Sequence, residues 1–209
     1  MKAIVVDDHA VVRRGLSQIL KNMQEVTSVV EAANGNELID RLNEAEYDIV
    51  VLDISMPGKS GLDVLKEIKT IKQNIRVLIL SIHPEEQYAI RALKAGAAGY
   101  ITKDSAPEEL VVAVQRIMEG GKYISQSLAE KLAGSYDLSS PKLPHENLSD
   151  REFEVFKMIG SGQTVSNIAE SLFLSVKTVS TYQSRIYEKT GLNSRSEITL
   201  YAIKNSLIE

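Results

Sequence analysis

The stretch YDIVVLDISMPGKSG, residues 47–61, decides how the first part of this chain folds. A short apolar run at 49–52 ends on the acidic Asp53, and the Pro57-Gly58 turn signal follows directly. A run of this length with two valines and an isoleucine is typical of a buried strand in a parallel sheet. Asp53 then lies at the carboxyl end of that strand, where open α/β sheets bind ligands. Taken alone, one such acid is more often a solvated loop aspartate.

Length and composition are those of a globular protein with one large domain or two small ones. The chain has 209 residues, of which 44% are hydrophobic and 25% charged. No apolar run approaches the roughly 20 residues of a membrane span, and the N-terminal MKAIVVDD turns acidic too early for a secretory signal. We therefore expect a cytoplasmic protein with no membrane partner. The absence of cysteine excludes disulfides, thiol catalysis and cysteine-based zinc sites.

The negative charge of the chain lies in its first part. Residues 1–120 carry 14 Lys and Arg against 18 Asp and Glu, whereas residues 148–209 carry 7 of each. Nucleic acid is not expected to bind an acidic domain. Any basic patch for DNA must therefore be local to the second part.

Strands and helices alternate through residues 1–120. Apolar runs predict five strands, at 3–6, 26–30, 49–52, 77–80 and 99–101, and helical patterns separate and follow them. This order calls for a parallel sheet covered by helices on both faces, with right-handed crossovers. Ser105, followed by Glu108, predicts a capping box at the start of the fifth helix.

Polar side chains follow four of these strands: Asp7 and Asp8, Asp53, Ser81, and Lys103. Because parallel strands end at one edge of the sheet, these side chains are expected to meet. Three carboxylates in one pocket repel one another unless a cation compensates, and Mg2+ prefers a few carboxylates plus waters. With a lysine and a hydroxyl beside them, they would form a site for phosphoryl transfer onto a carboxylate. The alternative is an acidic surface patch with the lysine as its counter-ion.

Four segments resemble the receiver domain of bacterial two-component response regulators. They are DDH at 7–9, VVLDISMPGKSGLDVL at 50–65, LSIH at 80–83 and GAAGYITKD at 96–104. The resemblance covers residues 1–120 and implies an α/β, flavodoxin-like, doubly wound sheet of five parallel strands in the order 2-1-3-4-5.

The resemblance also implies roles for individual residues. Asp53 is the expected phosphoacceptor, and Ser81 and Lys103 are expected to contact the phosphoryl group. Ser81 and Tyr100 form the expected switch pair, although the sequence leaves open that Tyr100 is ordinary core or edge packing. The expected Mg2+ ligands are three carboxylates and one backbone carbonyl: Asp7, Asp8, Asp53 and Ser55.

The chain changes character after residue 120. Residues 121–147 include GSYDLSSPKLPHEN, rich in Ser, Pro and Asn, which predicts a linker. From 148 to 209 the pattern is purely helical and predicts a small all-α domain. Ser149 with Glu152, and Ser194 with Glu197, predict caps on its first and last helices.

Two short helices joined by a tight turn at 173–175 fit a helix-turn-helix that reads the major groove. One stripe of the second helix is apolar: Val176, Val179, Tyr182 and Ile186. The candidates for DNA contact are small hydroxyls and bases: Lys177, Thr178, Ser180, Thr181, Ser184 and Arg185. An ordinary solvated helix face is the alternative.

Residues 148–192, LSDREFEVFKMIGSGQTVSNIAESLFLSVKTVSTYQSRIYEKTGL, resemble the LuxR-type helix-turn-helix. With the receiver, nearly the whole chain resembles the NarL/FixJ class, although Ser180 and Tyr182 stand where many members carry lysine and histidine. Few bases lie on this helix, so one copy is expected to bind DNA weakly and two copies to pair on a two-fold site. In the last helix, Ile198, Tyr201 and Ala202 either pair the two DNA-binding domains or belong to the core.

The resemblance implies a transcriptional response regulator. A sensor histidine kinase phosphorylates Asp53, the switch pair repacks, and the chain forms homodimers that bind double-stranded promoter DNA. No enzymatic activity is expected beyond assistance to its own phosphorylation and dephosphorylation. Two other functions stay open: a phosphorylation-independent adaptor, and a Mg2+-dependent aspartyl-phosphate phosphatase.

Overall fold

The structure is a computed structural model that describes residues 1–126, 128–130 and 143–208. The chain divides into two compact units, Met1–Tyr136 and Asp137–Glu209. The domains predicted at 1–120 and 148–209 fall one in each unit. Residues 131–142 of the predicted linker lie outside the described residues.

A five-stranded parallel sheet forms the centre of the first unit, in the order β2-β1-β3-β4-β5. The strands are β1 Lys2–Val6, β2 Ser28–Ala32, β3 Ile49–Asp53, β4 Arg76–Ser81 and β5 Gly99–Thr102. The helices are α1 Ala10–Lys21, α2 Gly35–Glu44, α3 Gly61–Ile71, α4 Glu85–Lys94 and α5 Ala106–Met118. The predicted doubly wound fold is confirmed.

Burial explains why the central strands are continuous apolar runs. All five residues of β3 are buried, because helices cover both faces of the sheet. The edge strand β2 is only half-buried and begins at Ser28, two residues later than predicted. Val26 instead belongs to the turn after α1, where its backbone N–H donates to the carbonyl of Met23 at 3.2 Å.

The first unit continues past Gly120. The backbone N–H of Tyr123 donates to the carbonyl of Ala98 at 2.9 Å, and that of Tyr100 donates to the carbonyl of Tyr123 at 3.1 Å. Tyr123 thus forms a parallel bridge with Gly99 at the outer edge of β5. The predicted linker therefore begins with residues that pack on the first unit.

In its described residues, 143–208, the second unit contains four α-helices after a 3-10 turn at Pro144–Asn147. They are α6 Asp150–Gly160, α7 Val165–Ser171, α8 Val176–Thr190 and α9 Arg195–Lys204. Their shared core contains fully buried aromatic and aliphatic side chains: Phe153, Phe156, Val179, Ile186, Ile198 and Ala202. The predicted all-α helix-turn-helix domain is confirmed.

One detail of this unit differs from the sequence-based expectation, and burial decides between the two alternatives that the sequence left open for α9. Val176 is 51% exposed and is not part of the apolar stripe, because it is the first residue of α8 and precedes the turn that faces the core. Ile198 and Ala202 are fully buried, and the hydroxyl of Tyr201 lies 2.9 Å from Nδ1 of His145. Ile198 and Ala202 therefore belong to the core, and the half-buried Tyr201 packs edge-on against Phe156 at its border.

None of the helices in the described part of the chain combines the length and apolar character that a bilayer span requires.

Candidate functional site

Four strand ends place the predicted polar residues at one edge of the sheet. Asp7 follows β1, Asp53 ends β3, Ser81 ends β4, and Lys103 follows β5. The side chains of Asp7, Asp53 and Ser81 are fully buried. Helix α3 begins close to them, since a Cβ atom on Gly61 would lie 2.1 Å from the backbone oxygen of Asp53. Only glycine allows this approach.

Lys103 bridges two of the carboxylates. Its Nζ lies 2.7 Å from Oδ2 of Asp53 and 2.8 Å from Oδ2 of Asp7. Burial lowers the pKa of Lys103, but the hydrogen bonds and negative charges of Asp53 and Asp7 outweigh burial, so the pKa is raised. The lysine is therefore a fixed positive charge between two acids.

Burial raises the pKa of Asp53 above its ordinary value, and the charge of Asp7 adds to this effect. Two contacts lower the pKa of Asp53 without cancelling the effect of burial. One is the hydrogen bond and charge of Lys103, and the other is the backbone N–H of Ser55, which lies 3.0 Å from Oδ1. Lys103 thus does not fully offset the effect of burial on Asp53. A further cation would favour the ionised, nucleophilic form of Asp53.

The donor set around Asp53 fits such a cation. One ligand atom from each of Asp7, Asp8, His9 and Asp53 can be chosen so that all lie within 4.8 Å of one another. Three of the four groups are carboxylates, the hard oxygen donors that Mg2+ prefers. His9 has no role predicted from the sequence, yet its Nδ1 lies 2.9 Å from Oδ1 of Asp8.

His83 connects the remaining predicted residues, and no role was predicted for it from the sequence. Its backbone N–H donates to Oγ of Ser81 at 3.0 Å, and its carbonyl accepts from the hydroxyl of Tyr100 at 2.8 Å. Its ring Nε2 lies 3.4 Å from Oγ of Ser55. Tyr100 is therefore both buried and held by the loop that follows Ser81. The only sequence signal was the position of His83, two residues after Ser81.

Helix α8 carries the predicted DNA-contacting residues on its surface. Thr178 is half-buried, and the other five are exposed: Lys177, Ser180, Thr181, Ser184 and Arg185. Oγ of Ser175 accepts from the backbone N–H of Thr178 at 3.0 Å and lies 2.7 Å from its Oγ1. Thr178 is thus engaged in the cap, whereas the exposed five form a continuous polar face.

The turn before α8 contains Phe173, which is 74% exposed and has φ of 54°. This left-handed conformation is uncommon for a bulky residue. It reverses the chain between α7 and α8 within the few residues that a helix-turn-helix allows.

Two family models together cover most of the chain. Residues 3–115 match the response regulator receiver domain, and residues 146–202 match the bacterial regulatory proteins of the luxR family.

Several proteins are similar over the full length. The oxygen regulatory protein NreC of Staphylococcus epidermidis is 38% identical, with 100% of both chains covered. The response regulator UvrY of Escherichia coli is 34% identical over 99% of this chain and 95% of its own. A structure of RcsB from Salmonella enterica serovar Typhimurium, bound to promoter rprA in the presence of phosphomimetic BeF3−, is 26% identical. It covers 100% of both chains with a TM-score of 0.67. The chain therefore belongs to the response regulators that join a receiver domain to a LuxR-type helix-turn-helix, as its resemblance to the NarL/FixJ class implied.

Proposed function

We propose that this chain is a DNA-binding transcriptional regulator that is switched by phosphorylation of Asp53. The observation that carries the proposal is the convergence of buried Asp53, buried Asp7 and Lys103 at one sheet edge. The same chain carries an exposed polar face on the second helix of a helix-turn-helix. A phosphoryl-accepting site and a DNA-reading surface in one protein favour a switch over a turnover enzyme.

Asp53 is the proposed nucleophile. One of its carboxylate oxygens attacks the phosphorus of a phosphohistidine on a sensor kinase, the P–N bond breaks, and the imidazole nitrogen leaves with the electron pair. Lys103 then stabilises the charge on the phosphoryl oxygens, and the hydroxyl of Ser81 donates a hydrogen bond to one of them. The buried surroundings strengthen both interactions.

Four residues are proposed to hold Mg2+: Asp7, Asp8, Asp53 and the backbone carbonyl of Ser55. When bound, the ion supplies the positive charge that lowers the repulsion among the carboxylates and the phosphoryl oxygens. The carboxylates support this assignment, because one oxygen from each of Asp7, Asp8 and Asp53 can be chosen so that all lie within 4.8 Å of one another.

The phosphorylated chain is proposed to bind a two-fold site on double-stranded DNA as a homodimer. Solved structures of RcsB include a complex with DNA and two dimers bound to two parallel DNAs. In this chain Leu200 and Ile203 are exposed on α9, at 69% and 53%, and are the proposed contact between two copies. Because promoter DNA is the proposed target, the proposed location is the cytoplasm.

The test exposes the wild type and Asp53→Asn to Mg2+ and acetyl phosphate, followed by intact mass measurement and sedimentation. The wild type is expected to gain one phosphoryl group and to shift towards dimer, and Asp53→Asn to do neither. The matched control is Asp104→Asn, an exposed acid beside Lys103 that should leave uptake unchanged. Equal uptake by the wild type and Asp53→Asn would overturn the proposal.

Two further readouts separate the alternatives. Steady-state hydrolysis of a generic phosphoester by the wild type would favour a phosphatase. Output that survives the loss of the Asp53 carboxylate, together with DNA retention that Lys177→Ala with Arg185→Ala does not change, would instead favour a phosphorylation-independent adaptor. We propose that the chain assists only its own phosphorylation and dephosphorylation, so neither result is expected.

A further inference from the structure

The outer edge of β5 is covered by the residues that follow α5. We call residues 122–126 the edge segment. Its Tyr123 exchanges two backbone hydrogen bonds with Ala98 and Tyr100. Gly99 allows the two chains to lie this close, since a Cβ atom there would be 2.8 Å from the carbonyl oxygen of Tyr123. The edge segment therefore satisfies backbone groups that a sheet edge otherwise leaves unpaired.

A second set of contacts ties the edge segment to helices. The hydroxyl of Ser125 donates to Oε1 of Glu85, the first residue of α4, and accepts from the backbone N–H of Leu128 at 3.1 Å. The hydroxyl of Tyr123 donates to Oε2 of Glu109 in α5 at 3.3 Å. Leu128 itself is fully buried. The segment is thus held at both of its ends.

A series of hydrogen bonds connects the edge segment with Ser81, one of the predicted site residues. The backbone N–H of His83 donates to Oγ of Ser81, and the hydroxyl of Tyr100 donates to the carbonyl of His83. The backbone N–H of Tyr100 in turn donates to Tyr123. Glu85, which anchors Ser125, is two residues beyond His83. These contacts connect Ser81 with the edge segment both through β5 and through the start of α4.

We propose that the edge segment is a latch: phosphorylation of Asp53 strengthens its attachment to β5 and α4, and Ser125 and Tyr123 are the positioning residues of this output. The inference rests on the proposed function of Asp53. Beyond that function, the inference assigns the edge segment as the element that carries the signal towards the second unit, because the chain leads from this segment to the helix-turn-helix.

The direction of the effect follows from the hydrogen bonds. A phosphoryl oxygen on Asp53 would accept the hydroxyl hydrogen of Ser81, which leaves Oγ as a fixed acceptor for His83. A fixed His83 holds the hydroxyl of Tyr100 and so restricts its side chain, and the backbone N–H of the same residue donates to the carbonyl of Tyr123. A more firmly attached segment fixes the point from which the chain continues towards the DNA-binding helices.

The first experiment measures amide hydrogen exchange in the full-length wild type with Mg2+, with and without BeF3− as the phosphoryl analogue. Exchange at Tyr123 and Leu128 is expected to slow about fivefold when BeF3− is present, the change expected for one hydrogen bond. Asp53→Asn should show no difference. Unchanged or faster exchange at both amides in a wild type that binds BeF3− would overturn the latch.

The second experiment measures DNA binding by full-length Ser125→Ala and Ser125→Thr, each with and without BeF3−. Ser125→Ala is expected to bind BeF3− like the wild type but to lose most of the DNA response, and Ser125→Thr, which keeps the hydroxyl, to retain it. A Ser125→Ala response equal to that of the wild type would overturn the latch alone. A wild type whose DNA binding ignores BeF3− would refute the proposed function as well. The exchange experiment needs no variant at Ser125, so it decides the matter even if that variant folds poorly.

Discussion

Glu152, in α6, is a tightly constrained acid outside the sheet edge. Its side chain is 3% exposed and accepts from the backbone N–H of Ser149 at 2.8 Å and from Nζ of Lys189 at 2.6 Å. Burial raises the pKa of Glu152, but the hydrogen bonds from Lys189 and Ser149 outweigh burial, so the pKa is lowered. The buried charge therefore links the first and third helices of the second unit.

Because its folded-state pKa is lowered, Glu152 contributes stability above its ordinary pKa of 4.5, and this stability is lost as the pH falls through the lower folded value. Glu152→Gln is expected to cost about 2 kcal/mol at neutral pH, since it replaces hydrogen bonds to a charged group. The difference from the wild type should shrink in acid.

Hydrogen exchange of peptides from α6 to α9, in the full chain at neutral and acidic pH, measures this difference. Glu170→Gln is the control, because Glu170 is exposed on α7 and loses the same charge. A Glu152→Gln effect that is independent of pH, or that Glu170→Gln reproduces, would contradict the assignment.

Individual residues differ in how far the sequence predicts them. Asp7, Asp53 and Lys103 could be placed because each follows a strand, and parallel strands end together. His83 could not, because its contacts with Ser55 and Tyr100 bridge 28 and 17 residues of sequence and leave no local pattern.

At the scale of single elements, three predicted helix caps have three different outcomes. The Ser149–Glu152 capping box is present in full. Ser194 accepts from the backbone N–H of Glu197, but the Glu197 carboxylate accepts from Asn193 instead of from Ser194. Ser105 makes no cap, and its φ and ψ of −85° and −12° are helical, not extended as a capping residue requires.

The failure at Ser105 has a local cause. Its hydroxyl and backbone N–H bond to Thr102 at the end of β5, at 3.1 and 3.3 Å. A tight connection between strand and helix thus replaces the cap. The sequence pattern of serine and glutamate cannot distinguish these two uses of the serine, because the competing partner precedes the motif.

These two serines provide a matched comparison. Ser149→Ala is expected to destabilise α6 by about 1 kcal/mol, the usual cost of losing a helix cap. Ser105→Ala should leave the start of α5 less affected, because no cap hydrogen bond is present there. Exchange of the first amides of α6 and α5 in each variant measures both effects. Equal fraying of the two helix starts would contradict the difference in capping.

The affinity of the chain for DNA is expected to depend on few charges. Lys177 and Arg185 are the bases among the six candidate DNA-binding residues. If both bind phosphates, Lys177→Ala with Arg185→Ala should weaken binding and reduce the slope of log K against log salt by about 0.9 for each phosphate that is no longer neutralised. The binding of the phosphorylated chain to its promoter, titrated at several salt concentrations, measures this slope.

The control for that measurement is Arg14→Ala with Lys21→Ala, which removes the same charge from exposed positions on α1 in the first unit. It should change the slope little, because an acidic unit is not expected to bind phosphates. An equal decrease of slope in both double variants would show that net charge, and not the face of α8, governs binding.

The whole fold was largely predictable because its periodicity is simple. Buried apolar runs alternate with amphipathic helices up to about residue 120, and a purely helical pattern follows from residue 148. The pairing of Tyr123 with Gly99 was not predictable, because a single bridge has no alternating pattern and follows a glycine pair that normally ends a structural element.

The bridge between Tyr123 and Gly99 limits where this chain can be truncated or fused to another domain. A receiver domain truncated at Gly120 would leave the backbone groups at the outer edge of β5 unpaired. An unpaired edge favours the addition of a strand from a neighbouring molecule. A receiver domain that extends to Glu130 keeps the residues that pair with the outer edge of β5. In a chimera that joins this receiver domain to a different DNA-binding domain, the junction therefore belongs after Glu130. The residues that cover the outer edge of β5 then stay with their own sheet.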